Sequence, residues 1–406
     1  MHLNCIMSFP GLEEVYVKKV ECVDGCYHLH IECERKKHKC PSCGTYTQKI
    51  HDYRIQRIQH LKLFERKSLL FYRKRRYACP CGKRFYETNG FIQRYQRQSL
   101  EWNQALQLRI VKGTTFKDTA KIFFTSPTTV MRRFDVLART QVKEVEELPR
   151  VIAIDEYKGD TEKGKYQLII ANGETREPID ILPNRSKKTI EQYLRRKGGK
   201  VQVVIMDMSY SFKAAVQKVL QKPVIVADRF HFSRYVYWAM DKVRRRVQTN
   251  FHEYDRKKGK RMRHIFYKGN EKLTEQETWL LDRYFKLSPE LERAYRLKEA
   301  YRSWFTFSKE KGYQKPEDMK RYLSLWYQQV QDENIPEFLD VLKTFQNWQS
   351  EILNSFTFGY SNGFLEGINN LTKVIKRNGF GFRRFDRFRG RVLLHHQFKE
   401  ISLHIG

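Results

Sequence analysis

The chain has 406 residues, enough to bury at least one large core and to fold as two or three units. It carries 78 Lys and Arg against 46 Asp and Glu, a formal net charge of +32. Because so many like charges repel one another in a compact protein, we expect a polyanionic partner. DNA or RNA fits better than an anionic membrane, since the basic residues are interleaved with Tyr and Phe, and no apolar run reaches the length of a membrane span.

Cysteine spacing in the first 90 residues predicts a structural zinc site. One pair has the spacing CPSC and a second pair has the spacing CPCG, each followed by glycine, and two such turns can complete a tetrahedral four-thiolate site. The expected ligands are Cys40, Cys43, Cys79 and Cys81. Cys33 and His38 are alternative ligands, and buried cysteines without metal are the competing interpretation. Thiols of this kind suit a reducing cytoplasm, and the N-terminus has no pattern of a signal peptide.

A helix-turn-helix is predicted over Phe116–Phe134 (FKDTAKIFFTSPTTVMRRF). Ala120 is small enough for close helix packing, Ser126 can cap the second helix, and Pro127 suits its first position. Val130 and Phe134, four residues apart, are expected to face the core. A small helical bundle without a role in DNA binding is the competing interpretation.

Basic and polar side chains around these two modules are predicted to contact DNA. Four of them project from the second helix of the helix-turn-helix: Thr128, Thr129, Arg132 and Arg133. Two others, Arg73 and Arg75, lie in the RKRR segment close to the second cysteine pair.

Residues 151–227 have the pattern of an α/β domain. Buried strands are predicted at Val151–Ile154, Gln167–Ala171, Val201–Met206 and Val224–Ala227, with helices at Lys187–Arg196 and Ser211–Leu220. The expected order is three strands joined by tight turns, then helix, strand, helix, strand. Asp155 and Asp207 each follow one of these strands, and charged residues in this position often line an active crevice.

A third carboxylate is predicted from the helix over Ser361–Asn378. One face of this helix is apolar and comprises Phe364, Ile368, Leu371 and Ile375. The opposite face is polar and comprises Asn362, Glu366, Asn370, Lys373 and Arg377. A solvated surface is the simplest interpretation of the polar face, but two aspartates that hold a metal need a third hard ligand. Mg²⁺ or Mn²⁺ would suit Asp155, Asp207 and Glu366, and two such ions can promote an in-line displacement at phosphorus.

Four strings in the chain resemble the ISL3 family of bacterial insertion-sequence transposases. They are IDEY around Asp155, DMS at Asp207, DRFHF at Asp228–Phe232 and SNGFLEGINNLTKVIKRNGFGFRRFDRFR at Ser361–Arg389. The resemblance extends over nearly the whole chain. It implies an RNase H-like catalytic domain of the DDE type with an all-helical insertion, preceded by a zinc ribbon and a helix-turn-helix. It places the catalytic triad at Asp155, Asp207 and Glu366.

Asp228 competes with Asp207 for the position of the second aspartate, because it also follows a predicted strand. Related transposases carry Cys or Asp, two spacers and His beside the catalytic site. We therefore assign Asp228 and His231 to support or DNA positioning, although a histidine packed in the core is an alternative for His231.

The expected fold class is α/β in five segments. Residues 1–90 form the zinc ribbon, 91–140 the helix-turn-helix, 141–231 the first part of the catalytic core, 232–355 the helical insertion, and 356–406 the second part of the core. The last segment supplies further predicted DNA contacts, namely Lys373, Arg377, Arg383 and Arg384. The phenylalanines of Phe380–Arg391 are expected either to stack on bases or to pack behind the glutamate helix.

The predicted function is cut-and-paste transposition. The partners are double-stranded DNA, as terminal inverted repeats and as target, and a second copy of the chain bound to the same DNA, with no membrane. The predicted location is the bacterial cytoplasm, at the nucleoid. A domesticated DNA-binding protein that does not cut and another RNase H-like nuclease are the alternatives.

Overall fold

A computed structural model of the chain describes Leu12 and residues 15–398. Residues 1–11, 13–14 and 399–406 lie outside the described part. They include the start of the predicted segment 1–90 and the end of the predicted segment 356–406. The chain divides into two compact units. The first comprises Met1–Val142, Ile375–Gly381 and Gly390–Gly406, and the second comprises Lys143–Val374 and Phe382–Arg389.

The first unit begins with antiparallel and parallel strands. They are β1 (Val15–Val23), β2 (Cys26–Cys33), β3 (His38–Lys39), β4 (Tyr46–Thr47), β5 (Ile50–Leu63), β6 (Arg66–Ala78) and β7 (Arg84–Tyr86). β3 pairs with β4, and the others form one sheet in the order β1-β2-β6-β5 with β7 on β6. The predicted strand Cys26–Cys33 is confirmed, because its alternate residues Leu29, Ile31 and Cys33 enter a core with Ile58 and Leu70.

Three helices follow in the first unit, namely α1 (Leu100–Lys112), α2 (Phe116–Ile122) and α3 (Pro127–Gln141). Each begins at a side-chain cap, where Ser99, Thr115 or Ser126 accepts a hydrogen bond from a backbone N–H of the first turn. Pro127 occupies the first turn of α3, as predicted. The predicted inward face is confirmed too, since Val130 and Phe134 are fully buried.

The second unit contains a five-stranded sheet of β8 (Val151–Thr161), β9 (Gly164–Asn172), β10 (Pro178–Leu182), β11 (Val203–Met206) and β12 (Val224–Ala227). Its strand order is β10-β9-β8-β11-β12. β8 and β9 are antiparallel, whereas β8, β11 and β12 run parallel. Helices α4 (Lys187–Lys197) and α5 (Tyr210–Val219) separate the last strands along the chain. This is the predicted order of strands and helices, and it is the RNase H-like arrangement that the family resemblance implies.

After β12 the described chain continues as helices. They are α6 (Arg229–Val247), α7 (Glu253–Arg261), α8 (Arg263–Tyr267), α9 (Glu275–Leu287), α10 (Pro289–Lys311), α11 (Pro316–Glu333), α12 (Pro336–Asn347), α13 (Gln349–Thr357), α14 (Gly363–Asn378) and α15 (Phe385–Gln397). Residues of α6 and of α8–α13 share one apolar core with the sheet β8–β12. No helix in the described part of the chain is both long and apolar enough to cross a membrane.

The helical segment is joined to the sheet at both of its ends. Arg229 at the start of α6 donates a hydrogen bond to the backbone oxygen of Ser355 in α13, and its guanidinium lies over the ring of Phe356. Asn354 Nδ2 donates to the backbone oxygen of Ile225 in β12 over 2.8 Å. These contacts hold the beginning and the end of the insertion at the same strand.

Candidate active site and metal centre

Three aspartates occupy equivalent positions on three neighbouring parallel strands. The pairing of β8 with β11 matches Ala153 to Ile205, so that Asp155 lies in register with Asp207 two residues further on. The pairing of β11 with β12 ends at Met206 and Ala227, and Asp207 and Asp228 come next on the two strands. The parallel strands therefore bring three carboxylates to one edge of the sheet.

Asp155 does not end its strand, contrary to the prediction. β8 continues to Thr161 because it remains paired with β9, where Asp155 faces Ile169. β11 pairs with β8 only as far as Ala153, so the side of Asp155 toward Asp207 is free of strand pairing. The carboxylate accepts hydrogen bonds from the backbone N–H of Glu156 at 2.8 Å and from Asn369 Nδ2 at 2.7 Å.

His231 lies between the other two aspartates. Its Nδ1 is 2.8 Å from a carboxylate oxygen of Asp207 and 2.8 Å from one of Asp228. Asp228 caps α6, because its side chain also accepts a hydrogen bond from the backbone N–H of Phe230. His231 is one turn further along α6, so this cap fixes the aspartate and the histidine together.

The carboxylates of Asp155, Asp207 and Asp228 lie near one another at this edge, so their negative charges repel. Burial, and then the charge of Asp207, raises the pKa of Asp155 to about 7. Burial by itself would lower the pKa of His231, but hydrogen bonding and charge from Asp207 and Asp228 outweigh it and raise that pKa to about 9. His231 is therefore a cation at neutral pH, and it offsets part of the repulsion among the carboxylates.

α14 approaches Asp155 with a face different from the predicted one. The buried side chains of the helix include Leu365, Ile368, Asn369, Thr372 and Ile375, whereas Phe364 and Leu371 are only half-buried. The polar residue Asn362, just before the helix, is also buried, and its Nδ2 lies 3.5 Å from the backbone oxygen of Ile154. The sequence pattern missed this face because polar asparagines form part of it.

Asn369 is the functional candidate that the sequence did not reveal. It is buried and donates directly to the carboxylate of Asp155. The only sequence signal is the pair Asn369–Asn370 in this helix, and the pair alone does not say which asparagine faces inward.

Glu366 is exposed on the first turn of α14. In sequence it lies between Asn362, which reaches the backbone beside Asp155, and Asn369, which contacts the Asp155 carboxylate. Among the described residues, potential ligand atoms of Asp207, Asp228 and His231 lie within 4.8 Å of one another, and Asp155 and Glu366 are not members of that group. The structure thus brings Asp207 together with Asp228 and His231, and it leaves Glu366 accessible at the adjacent helix.

The residues present fit a divalent cation bound by oxygen. The side-chain amide oxygens of Asn362 and Asn369 are buried and accept no hydrogen bond from the described residues. Buried acceptors without a donor are costly, and a cation bound nearby can satisfy them. Carboxylate and amide oxygens are the ligands that hard divalent ions prefer.

Glu156, next to Asp155, points to a different partner. Its carboxylate accepts hydrogen bonds of 2.5 and 2.6 Å from Arg185 Nη1, and the Arg185 guanidinium lies 4.3 Å from the ring centre of Tyr166. Adjacent residues in a strand face opposite sides of the sheet, so Glu156 turns away from the aspartate cluster.

The four predicted zinc ligands come together in the first unit. Cys40 Sγ is 3.7 Å from Cys81 Sγ, and Cys43 Sγ is 3.4 Å from Cys79 Sγ. All four sulfur atoms lie within 4.8 Å of one another. Gly44 and Gly82 have φ values of +77° and +85°, which explains the glycine after each cysteine pair. Cys33 instead contacts the Tyr72 hydroxyl, and His38 packs on Tyr77, so neither is in the cluster.

The helix-turn-helix has an unusual turn. Phe124, between α2 and α3, has a φ of 50°, a conformation more typical of glycine. Gln59 of β5 supports this turn, because its Nε2 donates to the backbone oxygen of Phe123 at 2.7 Å and to that of Phe124 at 3.3 Å. The position of α3 therefore depends on the sheet of the same unit.

Two of the four predicted DNA contacts on α3 are exposed, namely Thr128 and Arg132. Thr129 is half-buried and shares a hydrogen bond with Ser126. Arg133 donates a hydrogen bond of 2.8 Å to Gln96. The exposed residues thus remain available to a ligand, while the other two also stabilise the fold.

The structure gives Arg75 a structural role in place of the predicted contact with DNA. Its guanidinium is buried and donates to Glu87, to Glu32 and to the backbone oxygen of Cys33. Charged side chains are buried in proteins when they are paired in this way. Arg73 is exposed, lies over the ring of Tyr53 and pairs with Glu32, so it remains a candidate for DNA contact.

The Phe- and Arg-rich C-terminal segment is largely structural as far as it is described. Phe382, Phe385 and Phe388 are buried, while Phe380 is exposed. Arg389 donates a hydrogen bond of 2.6 Å to Asp180, whose other oxygen accepts one from the Tyr193 hydroxyl. The side chains predicted to contact DNA are exposed, namely Lys373, Arg377, Arg383 and Arg384.

Comparisons with known proteins agree with this arrangement over most of the chain. Residues 36–81 match the zinc-finger of transposase IS204/IS1001/IS1096/IS1165, and residues 87–137 match the helix-turn-helix domain of transposase family ISL3. Residues 152–392 match the DDE transposase model of ISL3 type. The predicted order of zinc ribbon, helix-turn-helix and DDE-type catalytic domain is confirmed.

Individual relatives include transposases of insertion sequences. The chain is 25% identical over 396 residues to the transposase for insertion sequence element IS1001 of Bordetella parapertussis, covering 94% of this chain and 95% of that protein. It is 31% identical over 121 residues to the transposase for IS1557 of Mycobacterium tuberculosis, covering 30% of this chain and 26% of that protein. A Lactococcus lactis protein named ATP-dependent protease is 36% identical over 123 residues, which are 30% of this chain and 35% of that protein. The chain belongs to the ISL3 family of insertion-sequence transposases.

Proposed function

We propose that this transposase binds the terminal inverted repeats of its element and performs metal-dependent cleavage and strand transfer at the edge of β8, β11 and β12. The observation that carries the proposal is the row of Asp155, Asp207 and Asp228 on three parallel strands, with His231 as a cation between two of them. The chain as a whole has a net charge of +32, yet this edge of the sheet concentrates carboxylates. Carboxylates grouped in this way suit metal ions better than DNA phosphates.

In this proposal Asp155, Asp207 and Glu366 hold Mg²⁺ or Mn²⁺. Ions bound there would activate the attacking oxygen and stabilise the leaving 3′ oxygen in an in-line displacement. The protein's own contribution is orientation. Asn369 holds the Asp155 carboxylate, while Asp228 and His231 hold that of Asp207. The exposure of Glu366 supports its role, because a side chain accessible to solvent can turn toward a bound ion.

DNA binding is assigned to the zinc ribbon and the helix-turn-helix. The exposed residues proposed to contact double-stranded DNA are Arg73, Thr128 and Arg132, with Thr129 and Arg133 beside them and with Lys373, Arg377, Arg383 and Arg384 near the catalytic helix. Transposition requires two element ends to be held together, so we propose a homodimer on DNA. The DNA substrate and four reduced cysteines support action at the nucleoid, in the bacterial cytoplasm.

We also propose that the five segments 1–90, 91–140, 141–231, 232–355 and 356–406 act as zinc ribbon, helix-turn-helix, first core part, insertion and second core part. The matched ranges 36–81, 87–137 and 152–392 support this division.

The test incubates the purified chain with Mg²⁺ and DNA that carries the ends of the element. End-specific nicking followed by joining is expected, and Asp155→Asn is expected to abolish both. Glu156→Gln is the matched control, because the neighbouring Glu156 pairs with Arg185 and should leave cleavage intact. Absence of end-specific cleavage with every divalent metal tested would refute the catalytic proposal and favour a DNA-binding protein that does not cut.

The same assay separates the two candidates for the second aspartate. Asp207→Ala is expected to abolish cleavage and metal binding, whereas Asp228→Ala is expected to weaken them through His231. If Asp228→Ala removes metal binding and Asp207→Ala cleaves normally, Asp228 is the ligand. Equal cleavage of branched DNA lacking the element's ends would favour another type of nuclease.

A further inference from the structure

An exposed row of side chains runs along α6 directly after the aspartate–histidine pair. Phe230, Arg234 and Trp238 are four residues apart and therefore lie on one side of the helix. The side chains of Phe230 and Trp238 are 64% and 42% exposed, respectively. We call these three residues the stacking ladder.

The ladder has a regular internal arrangement. The Arg234 guanidinium carbon lies 4.5 Å from the ring centre of Trp238 and 5.7 Å from that of Phe230, so the cation is held between two rings. The ring of Phe230 meets that of His231 edge-on, with 5.7 Å between centres. The ladder is thus in contact with the residue that bridges Asp207 and Asp228.

The guanidinium of Arg234 has no acidic partner in the part of the chain that the structure describes. Its Nε is buried and makes no hydrogen bond. Most other arginines of the helical segment are paired with an acidic side chain, as Arg246 is with Glu290 and Glu337. Leaving a cation and its donors without partners costs stability, so a ligand with acceptors is the natural occupant of this position.

We propose that the stacking ladder binds unpaired bases of the DNA at the cleavage site. Exposed ring faces can stack only on bases whose own faces are accessible, which requires bases that are not paired within a duplex. A guanidinium fixed between rings can donate in its plane to a phosphate or a base edge. The ladder starts beside the carboxylates and ends on the insertion, so it would hold the strand next to the bond that is cut. This proposal rests on the proposed function, because it assumes that DNA lies at the aspartates.

The test measures binding without cleavage, using the full zinc-loaded chain in buffer without added Mg²⁺ or Mn²⁺. One probe is a dodecamer of thymidines that contains a single 2-aminopurine, and the other is a blunt duplex of the same length. The wild-type protein is expected to quench the 2-aminopurine as it binds. Trp238→Ala and Phe230→Ala are each expected to weaken binding of the single strand by about 5- to 150-fold. Binding of the duplex should be nearly unchanged.

The matched control is Trp279→Ala, since Trp279 is 60% exposed on another helix of the same segment and lies over no arginine among the described contacts. It should bind both probes as the wild type does. Trp238→Phe keeps a ring and should retain most of the quenching, which separates stacking from misfolding. Wild-type affinity of both ladder variants for the single strand, or an equal loss in Trp279→Ala, would overturn the proposal.

The measurements distinguish a failure of the stacking ladder from a failure of the proposed catalysis. A protein that binds the single strand through the ladder but never cleaves element ends would refute the proposed catalysis and keep the ladder. A protein that cleaves normally while the ladder variants bind the single strand like the wild type would refute the ladder alone. A surface that instead captures another protein would show no quenching of 2-aminopurine.

Discussion

Replacing Asn369 by alanine removes the side chain that orients the first catalytic aspartate. Asn369 Nδ2 donates to the Asp155 carboxylate at 2.7 Å, and Asn369 is buried while Asp155 is half-buried. In the Asn369→Ala variant, Asp155 keeps only the hydrogen bond from the backbone N–H of Glu156. The carboxylate then has freedom to rotate away from the position in which it can bind a metal ion together with Asp207.

The size of the effect follows from the type of bond that is lost. A hydrogen bond to a charged group contributes about 1.5–3 kcal/mol. At about 1.36 kcal/mol for each factor of ten, this corresponds to a loss of about 10- to 150-fold in cleavage rate or in metal affinity. Partners of metal ligands in other proteins have effects of about 10- to 100-fold, which is consistent.

The assay follows cleavage of end-bearing DNA over a range of Mg²⁺ concentrations. Asn369→Ala is expected to need more metal and to cleave more slowly at saturation. Asn370→Ala is the matched control, because Asn370 is the next residue of the helix, is exposed and has Lys373 Nζ as its neighbour at 3.5 Å. Cleavage by Asn369→Ala at the wild-type rate and with the wild-type metal dependence would refute the orienting role.

Four further predictions test other parts of the molecule. Burial lowers the pKa of His60 to about 4 from 6.5, so the free energy of unfolding should fall as the pH decreases from about 6.5 to about 4, by up to ~3 kcal/mol, and His60→Gln should flatten this dependence in urea titrations. Cys79→Ser should lose zinc, measured as metal content, whereas Cys22→Ser, at an exposed cysteine outside the cluster, should keep it. Asp228→Asn should retain the cap of α6 and its stability but cleave more slowly, whereas Asp228→Ala should also lose about 1 kcal/mol of unfolding free energy. Arg132→Ala should reduce the slope of log affinity against log salt by about 0.9.

Local patterns in the sequence were enough to predict most of the elements. The runs VIAI and VIVA formed buried strands, because side chains that are apolar at every position leave no polar face for water. Ser126 and Pro127 predicted the start of α3, because capping depends on a few neighbouring residues. The spacing of the cysteines predicted the zinc cluster for the same reason, since each pair is a short turn.

The candidate site was predicted in part. Asp155 and Asp207 were recognised because each comes after a strand core, and parallel pairing placed them in register. Asp228 was expected to follow a strand and, with His231, to support the site, but the sequence did not predict that Asp228 would align with Asp207, or that His231 would lie 2.8 Å from both aspartates. Those positions depend on how β12 aligns with β11 and on the direction in which α6 leaves the sheet.

Periodicity failed where polar residues were buried. On α14 the apolar residues suggested one face, yet Asn362 and Asn369 lie toward Asp155 and the backbone of β8. The same holds for Arg75, which looked like a surface cation in a basic run and is buried against Glu32 and Glu87. A buried polar group is stable only with a specific partner, and here the partners of these groups are distant in sequence.

For the three carboxylates, the sequence by itself determined the residue types, the strands that carry Asp155 and Asp207, and the helix that carries Glu366. These properties arise from interactions among residues close together in the chain. Only the tertiary structure decided that Asn369 holds Asp155, that His231 joins Asp207 to Asp228, and that Arg234 stands between two rings without an acidic partner among the described residues. These contacts arise where separate strands and helices meet, and the angle at which elements pack is set by the whole core rather than by any local pattern.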